Sequence, residues 1–257
     1  MYERITSLDG NIKTTIVTTF GDQHYDMYAK YFMTSLEKYL DESVNVLVYT
    51  DTPLFDDSEN WKNYILPQES KGLKKFKKRN SSRPVPQGTK GFYYDAVRFS
   101  YKSYCIIDAS RKVKTDRMIW LDADTEILAP ISEEYLRSHL DDDKFVSYLG
   151  RVGKYTETGW LSFNLDSPNS AEFFDLWEWY YNTDEIYNLP AQLDCHVFDA
   201  CLEKLESENK IVGQNISPPN TGKAHFDLRF KKHMCHYKGT RKENRDVYFA
   251  KATKKKK

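Results

Sequence analysis

The sequence predicts an α/β domain in which helices flank a wound sheet, and three segments carry that expectation. Thr14 to Phe20 (TTIVTTF) is a β-branched run ending at Gly21-Asp22, which reads as a buried strand and a turn. Tyr25 to Leu40 has helical periodicity through Met27, Tyr31, Met33, Leu36 and Leu40. Val44 to Thr50 (VNVLVYT) is a second strand, closed by Asp51-Thr52-Pro53. Strand, helix and strand in that order open a parallel, wound sheet.

The remaining elements follow along the chain. Gln68 to Gly91 is rich in Lys, Ser, Pro and Gly, and reads as a long loop. A helix is expected over Phe92 to Ile107, then a short apolar strand at Met118 to Leu121 (MIWL). Phe145 to Gly150 and Gly159 to Leu165 are further strands. Ala171 to Tyr181 is an aromatic-rich helix with Asn169-Ser170 as its cap. Gln192 to Leu205 reads as a helix and Lys210 to Ser217 as a late strand. One domain is expected over residues 1–250, followed by a disordered lysine-rich tail at 251–257.

Composition supports a packed core. Of 257 residues, 40% are hydrophobic and 15% aromatic, which argues against disorder. The 38 basic and 38 acidic residues balance, so net charge makes no case for nucleic acid or membrane as partner. Lys71 to Arg79 (KGLKKFKKR) is a local exception that reads as a solvated loop, or as a basic loop that steers an anionic acceptor. Cys105, Cys195, Cys201 and Cys235 form no CxxC pair, which suits a reducing compartment. No apolar run approaches the roughly 20 residues of a membrane span, so a soluble, cytoplasmic protein is expected.

The most informative segment is Asp116 to Ile131 (DRMIWLDADTEILAPI). An apolar strand ends abruptly in Asp122-Ala123-Asp124, and ligands of open α/β sheets bind at such carboxyl ends. Two carboxylates separated by one small residue can turn toward one hard cation. Without a cation they repel each other. A solvated acidic turn is the plain alternative for the motif taken alone.

Asp95, Arg98 and Lys102 share one stripe of the helix before that strand. Arg98 and Lys102 lie four apart, where like charges repel modestly unless an anion sits between them. A diphosphate would meet that need, with Asp95 within reach of a ribose or base; a solvent-facing stripe explains the same residues.

The combined pattern resembles the GT-A glycosyltransferases, and within them the glycogenin and bacterial galactosyltransferase group. The resemblance spans roughly Thr14 to Lys242 and centres on the Asp-x-Asp motif. It extends to His236-Tyr237-Lys238-Gly239-Thr240-Arg241-Lys242, which matches the group's H-x-x-G-x-x-K. The resemblance implies a GT-A type fold, with a Rossmann-like wound mixed sheet. It implies Asp122, Asp124 and His236 as ligands of Mn²⁺ or Mg²⁺, the imidazole favouring Mn²⁺, with Gly239 and Lys242 at the diphosphate. The expected reaction moves a sugar from a nucleoside-diphosphate sugar, UDP-linked, to an acceptor hydroxyl with retention.

Two positions depart from the group. Glu157 stands where its N-x-G motif has Asn, and Asp194-Cys195 replaces its D-Q, with Gln192 two residues earlier. Asp194 is expected at the donor sugar; in an inverting reaction Glu157 or Asp194 would be the base. Two rival functions are a nucleotidyltransferase acting on a sugar phosphate and a non-catalytic carbohydrate- or nucleic-acid-binding module. The first wants a glycine-rich phosphate loop, which Gly21-Asp22-Gln23 does not supply.

Overall fold

The computed structural model describes residues 13–54, 61–65, 70–88, 90–218 and 225–239. Strand β1 (Thr14–Thr19) leads through a 3-10 turn (Asp22–His24) and a π turn (Tyr25–Ala29) into α1 (Lys30–Tyr39). Strands β2 (Val44–Thr50) and β3 (Trp61–Ile65) follow, then α2 (Lys71–Asn80) and α3 (Ala96–Lys112). The central segment carries β4 (Arg117–Leu121), β5 (Thr125–Ile127) and α4 (Glu133–Arg137). Next come β6 (Val146–Arg151), β7 (Lys154–Asn164), α5 (Ser170–Asn182) and α6 (Asp194–Ser207). The described chain closes with β8 (Gly213–Asn215), α7 (His225–Phe230) and β9 (Met234–His236).

Seven strands form one mixed sheet in the order β3-β2-β1-β4-β7-β6-β8. Strands β1 to β4 pair in parallel, β7 is antiparallel to both β4 and β6, and β8 runs parallel to β6. The order reverses between β1 and β4, so a crevice opens at their carboxyl ends. That is where Asp122 and Asp124 emerge.

Helices cover both faces, which is why the central strands read as continuous apolar runs. On β4, Met118 and Trp120 enter the core beneath α3, α5 and α6, with Phe173, Trp177 and Phe198. Ile119 and Leu121 enter the opposite core with Phe32 and Leu36 of α1 and Phe226 and Phe230 of α7. Each such burial contributes about 1.5–3 kcal/mol. The site-bearing strand is therefore clamped from both sides. Among the described residues no helix is long and apolar enough to cross a membrane, and none of the four cysteines forms a disulfide.

The structure corrects the expectation of a loop throughout Gln68 to Gly91. Residues 71–80 of it form α2, started by Ser70, whose Oγ accepts from the Leu73 amide at 3.1 Å. Leu73 and Phe76, three apart, are buried, while Lys71, Lys74, Lys75 and Lys78 face solvent. Two apolar anchors in ten residues give too thin a stripe for periodicity to register. The helix expected from Phe92 starts only at Ala96, because Asp95 caps it by accepting from the Arg98 amide at 3.1 Å. Strand β3 and the two-stranded β5–β9 ribbon carried no expectation, and the lysine-rich tail lies outside the described residues.

Beneath β7, the His139 ring packs edge-on to Trp160 and Phe230. Its Nδ1 accepts from Arg229 at 3.3 Å, which keeps the imidazole neutral. Burial, with Arg229 and His233 adding, lowers its pKa from 6.5 to about 4. This contribution to stability is complete above about pH 6.5 and is lost as pH falls toward 4. His139→Gln is expected to reduce the loss of unfolding free energy between pH 7 and pH 5 by about 1–2 kcal/mol, read by urea denaturation. An unchanged pH dependence would contradict this role.

Candidate active site

Asp122 is the first residue after β4. Its amide donates to the Gly159 carbonyl at 3.1 Å, extending the β4–β7 pairing one step beyond the strand. The turn closes with the Thr125 amide on the Asp122 carbonyl at 3.0 Å, which leads the chain into β5. Strand β5 pairs antiparallel with β9, matching Thr125 with His236, and the Tyr237 amide donates to the Asp124 carbonyl at 2.8 Å. This ribbon brings His236 to the acidic pair across 112 residues of sequence.

The side chains converge. Asp122, Asp124 and His236 each offer one ligand atom, all within 4.8 Å of one another. His236 Nε2 lies 2.8 Å from Asp124 Oδ1 and 3.6 Å from Asp122 Oδ2. Behind the ring, His236 Nδ1 is 3.6 Å from Glu157 Oε1, and Lys238 Nζ pairs with that same oxygen at 2.9 Å. The Phe226 ring meets the imidazole edge-on, and the His236 amide donates to Asp227 Oδ1 at 2.8 Å. Gly159 supplies the floor: a Cβ there would lie 2.5 Å from His236 Cε1, so any larger residue would displace the ring.

Lys102 holds the other flank. Its Nζ lies 2.8 Å from Asp122 Oδ1 and 3.0 Å from Asp194 Oδ2, and it donates to the Thr158 carbonyl at 2.7 Å. Trp120 Nε1 also donates to Asp122 Oδ1 at 2.8 Å, and Thr158 Oγ1 donates to Asp194 Oδ2 at 2.7 Å. Asp122 thus has one oxygen held by the protein and the other directed toward Asp124 and His236.

These charges sustain one another. Burial opposes the Lys102 ammonium, but Asp122 and Asp194 outweigh it and raise its pKa well above the ordinary lysine value. Burial likewise raises the Asp122 carboxyl, yet Lys102 and His236 outweigh both burial and repulsion from Asp124, and hold it low. Burial would lower His236, but the charge and hydrogen bond of Asp124, with Glu157 behind, raise it to about 9. Glu157 is opposed by burial and nonetheless held far below the usual carboxylate range by His236 and Lys238. On the open side Tyr28, from the π turn, has its phenol raised by burial and then by Asp124 and Asp122, with Arg98 opposing.

The structure therefore brings together Asp122, Asp124, His236, Lys102, Asp194 and Glu157. Asp95 and Arg98 stand at the start of α3, one to two turns from Lys102; Arg98 is exposed and lies close enough to influence Tyr28. Lys102 does not share an open face with Arg98 but is lodged between two carboxylates. Gly239 follows His236 by three residues with φ +58°, while Lys242 lies outside the described residues. Sequence reasoning missed Trp120, Thr158, Gly159 and Lys238. Only Gly159, a lone glycine inside a strand pattern, carried a signal of close approach.

Two carboxylate oxygens and an imidazole nitrogen form a donor set suited to a borderline divalent cation such as Mn²⁺. The residues present fit such an ion.

No protein-family model and no curated protein matches the sequence. Solved structures do. The apo structure of the WbbM bifunctional glycosyltransferase superposes with a TM-score of 0.52 at 12% identity, over 92% of this chain and 47% of that one. The fold is shared with a solved glycosyltransferase. This chain spans about half the length of the WbbM chain. The apo form of mouse xyloside xylosyltransferase 1 is also similar, with a TM-score of 0.48 at 9% identity, over 79% of this chain and 85% of that one. At 12% identity the likeness to the WbbM chain establishes the α/β fold and leaves the activity to the site.

A divalent ion entering the cluster must displace the His236 proton. The Mn²⁺ dissociation constant, measured by calorimetry, is expected to fall about tenfold per pH unit between pH 7 and 9. A flat dependence would contradict the assignment of His236 as a ligand.

Proposed function

We propose that this chain is a metal-dependent glycosyltransferase that moves a sugar from a UDP-linked donor to an acceptor hydroxyl with retention of configuration. The observation that carries the proposal is the convergence of Asp122, Asp124 and His236 at the carboxyl end of a central strand, at the point where the sheet order reverses. The narrower kinship with the glycogenin and bacterial galactosyltransferase group rests on the two motifs, Asp122-x-Asp124 and His236-x-x-Gly239-x-x-Lys242.

Asp122, Asp124 and His236 would hold Mn²⁺, in preference to Mg²⁺ because of the imidazole. When bound, the ion would act as a Lewis acid on the departing diphosphate. The chain's own residues divide the remaining work. Arg98 and Lys242 add positive charge for the diphosphate, and Gly239 lets the backbone approach it. Asp95, at the start of α3, is placed for the ribose or base. Asp194, fixed by Thr158 and Lys102, keeps acceptor capacity for hydroxyls of the donor sugar. Lys102 carries a positive charge from Asp122 to Asp194, and so spans the diphosphate and sugar ends of the site.

Glu157 acts behind His236, orienting the ring as carboxylates orient metal-bound imidazoles. Its low pKa and its pairing with Lys238 make it a poor proton acceptor, so Glu157 does not suit the role of base in an inverting reaction. The nucleotidyltransferase alternative lacks a glycine-rich loop after β1, where Gly21 is followed by a 3-10 turn.

A thermal-shift panel of nucleotides and nucleotide sugars, with and without Mn²⁺, tests the reading. A UDP-sugar with Mn²⁺ is expected to raise the melting temperature by about 5 °C at a hundredfold excess over Kd. The shift should vanish without metal and in Asp122→Ala. If no nucleotide stabilises the protein, the proposal fails.

A further inference from the structure

Outside the cation cluster, an open cavity of about 260 Å³ is lined by Arg83, Pro84, Pro86, Tyr94, Tyr187 and Gln192. It has room for a single sugar ring, and less than a drug-sized ligand needs. Its walls come from the connection between α2 and α3, and from the segment that leads into α6.

The described residues of that connection are closely packed. Two prolines restrict it, and the Gly91 amide donates to the Gly88 carbonyl at 3.0 Å. Gly91 packs so closely under the Pro86 carbonyl that a Cβ would lie 2.1 Å from its oxygen. The Gln192 amide donates to the Tyr93 carbonyl at 2.7 Å, tying the two walls together.

The cavity adjoins the reaction centre. Gln192 precedes Asp194 by two residues, at most about 7 Å of chain, and Asp194 meets Lys102 at 3.0 Å. On the other wall Tyr94 precedes Asp95, the cap of α3. By the crevice rule, the nucleotide belongs over β1 and β4. The cavity instead borders the amino end of α6, on the Asp194 side of the cluster.

Its chemistry is specific. The Arg83 guanidinium stacks 3.7 Å above the Tyr187 ring centroid, which fixes its plane. Its charge also reaches the Asp184 carboxyl and helps to hold it low, but among the described residues its side chain makes no hydrogen bond, so N–H donors at its edge can meet a ligand anion. Tyr94 offers an exposed ring face on which the apolar side of a sugar can pack. Arg83 also follows α2 by three residues, and the solvent face of α2 carries Lys71, Lys74, Lys75 and Lys78.

We propose that this cavity is the acceptor subsite and that it takes an acidic sugar residue, its ring against Tyr94 and its carboxylate or phosphate on Arg83. The basic face of α2 then favours an acceptor that continues as an acidic glycan. The inference rests on the sugar-transfer reading and names its acceptor class.

The test is binding of the full chain to an immobilised array of neutral, carboxylate-bearing and phosphate-bearing glycans, with a single-stranded DNA oligonucleotide as competitor. Wild type is expected to prefer acidic glycans. Arg83→Gln should weaken them about tenfold and so abolish the preference for acidic over neutral glycans. Tyr94→Ala should weaken both classes. The relative signals of the carboxylate and phosphate arms identify the anion.

Absence of an acidic preference, an Arg83→Gln variant that keeps it, or DNA that binds more tightly than any glycan in an Arg83-dependent manner would overturn the inference. UDP binding with Mn²⁺ is measured on the same samples. If wild type and Arg83→Gln bind UDP equally while the acidic preference is absent, the acceptor inference alone fails. If wild type binds no nucleotide, the sugar-transfer reading on which it rests fails.

Discussion

Lys102, lodged between Asp122 and Asp194, is the contact on which the site depends. Four carboxylates, Asp122, Asp124, Asp194 and Glu157, gather at one end of the sheet, and at least three of them are almost wholly buried. Left alone they would repel one another and take up protons. Lys102 from α3, His236 at the end of β9 and Lys238 just beyond it prevent this. Removing one partner of such a buried pair costs about 3–5 kcal/mol, because the remaining charge is stranded. The arrangement is therefore an interlocked set, with Asp122 facing cations on both sides.

The fold supplies the rigidity that this set requires. Strand β4 is buried on both faces, so Asp122 cannot shift without disturbing Trp120 or Leu121. Strand β7 delivers Glu157, Thr158 and Gly159 in sequence, and its neighbours divide them. Glu157 goes to His236, Thr158 to Lys102 and Asp194, and Gly159 yields the space for the imidazole. The β5–β9 ribbon is only three residues long on each strand, yet it fixes His236 opposite Thr125. Helix α7 packs Phe226 against the same ring and completes its enclosure.

Much of this was legible in the sequence. The wound sheet followed from apolar runs that end in turn residues; the acidic pair was marked by Asp122-Ala123-Asp124, and His236, which the structure brings beside it, by the family resemblance. What escaped has physical reasons. Helix α2 buries only two apolar residues, Leu73 and Phe76, so its lysines masked it as a loop. The pairing of Lys102 with Asp194, and of Lys238 with Glu157, depends on tertiary placement of residues whose local spacing says nothing about it. Asp95 and Arg98 share a stripe with Lys102, but α3 is oriented so that only Lys102 enters the cluster. A three-residue strand such as β9 carries too short a pattern to be read in advance.

The proposed role of Asp122, Asp124 and His236 is to hold a divalent cation against a nucleoside diphosphate. The most direct measurement is pulsed electron paramagnetic resonance of the protein loaded with Mn²⁺ and UDP. Nitrogen coupling from the His236 imidazole, lost in His236→Asn, is expected together with phosphorus coupling from the diphosphate on the same ion. Mn²⁺ that shows neither coupling, or phosphorus coupling that persists unchanged in Asp122→Ala, would contradict that role.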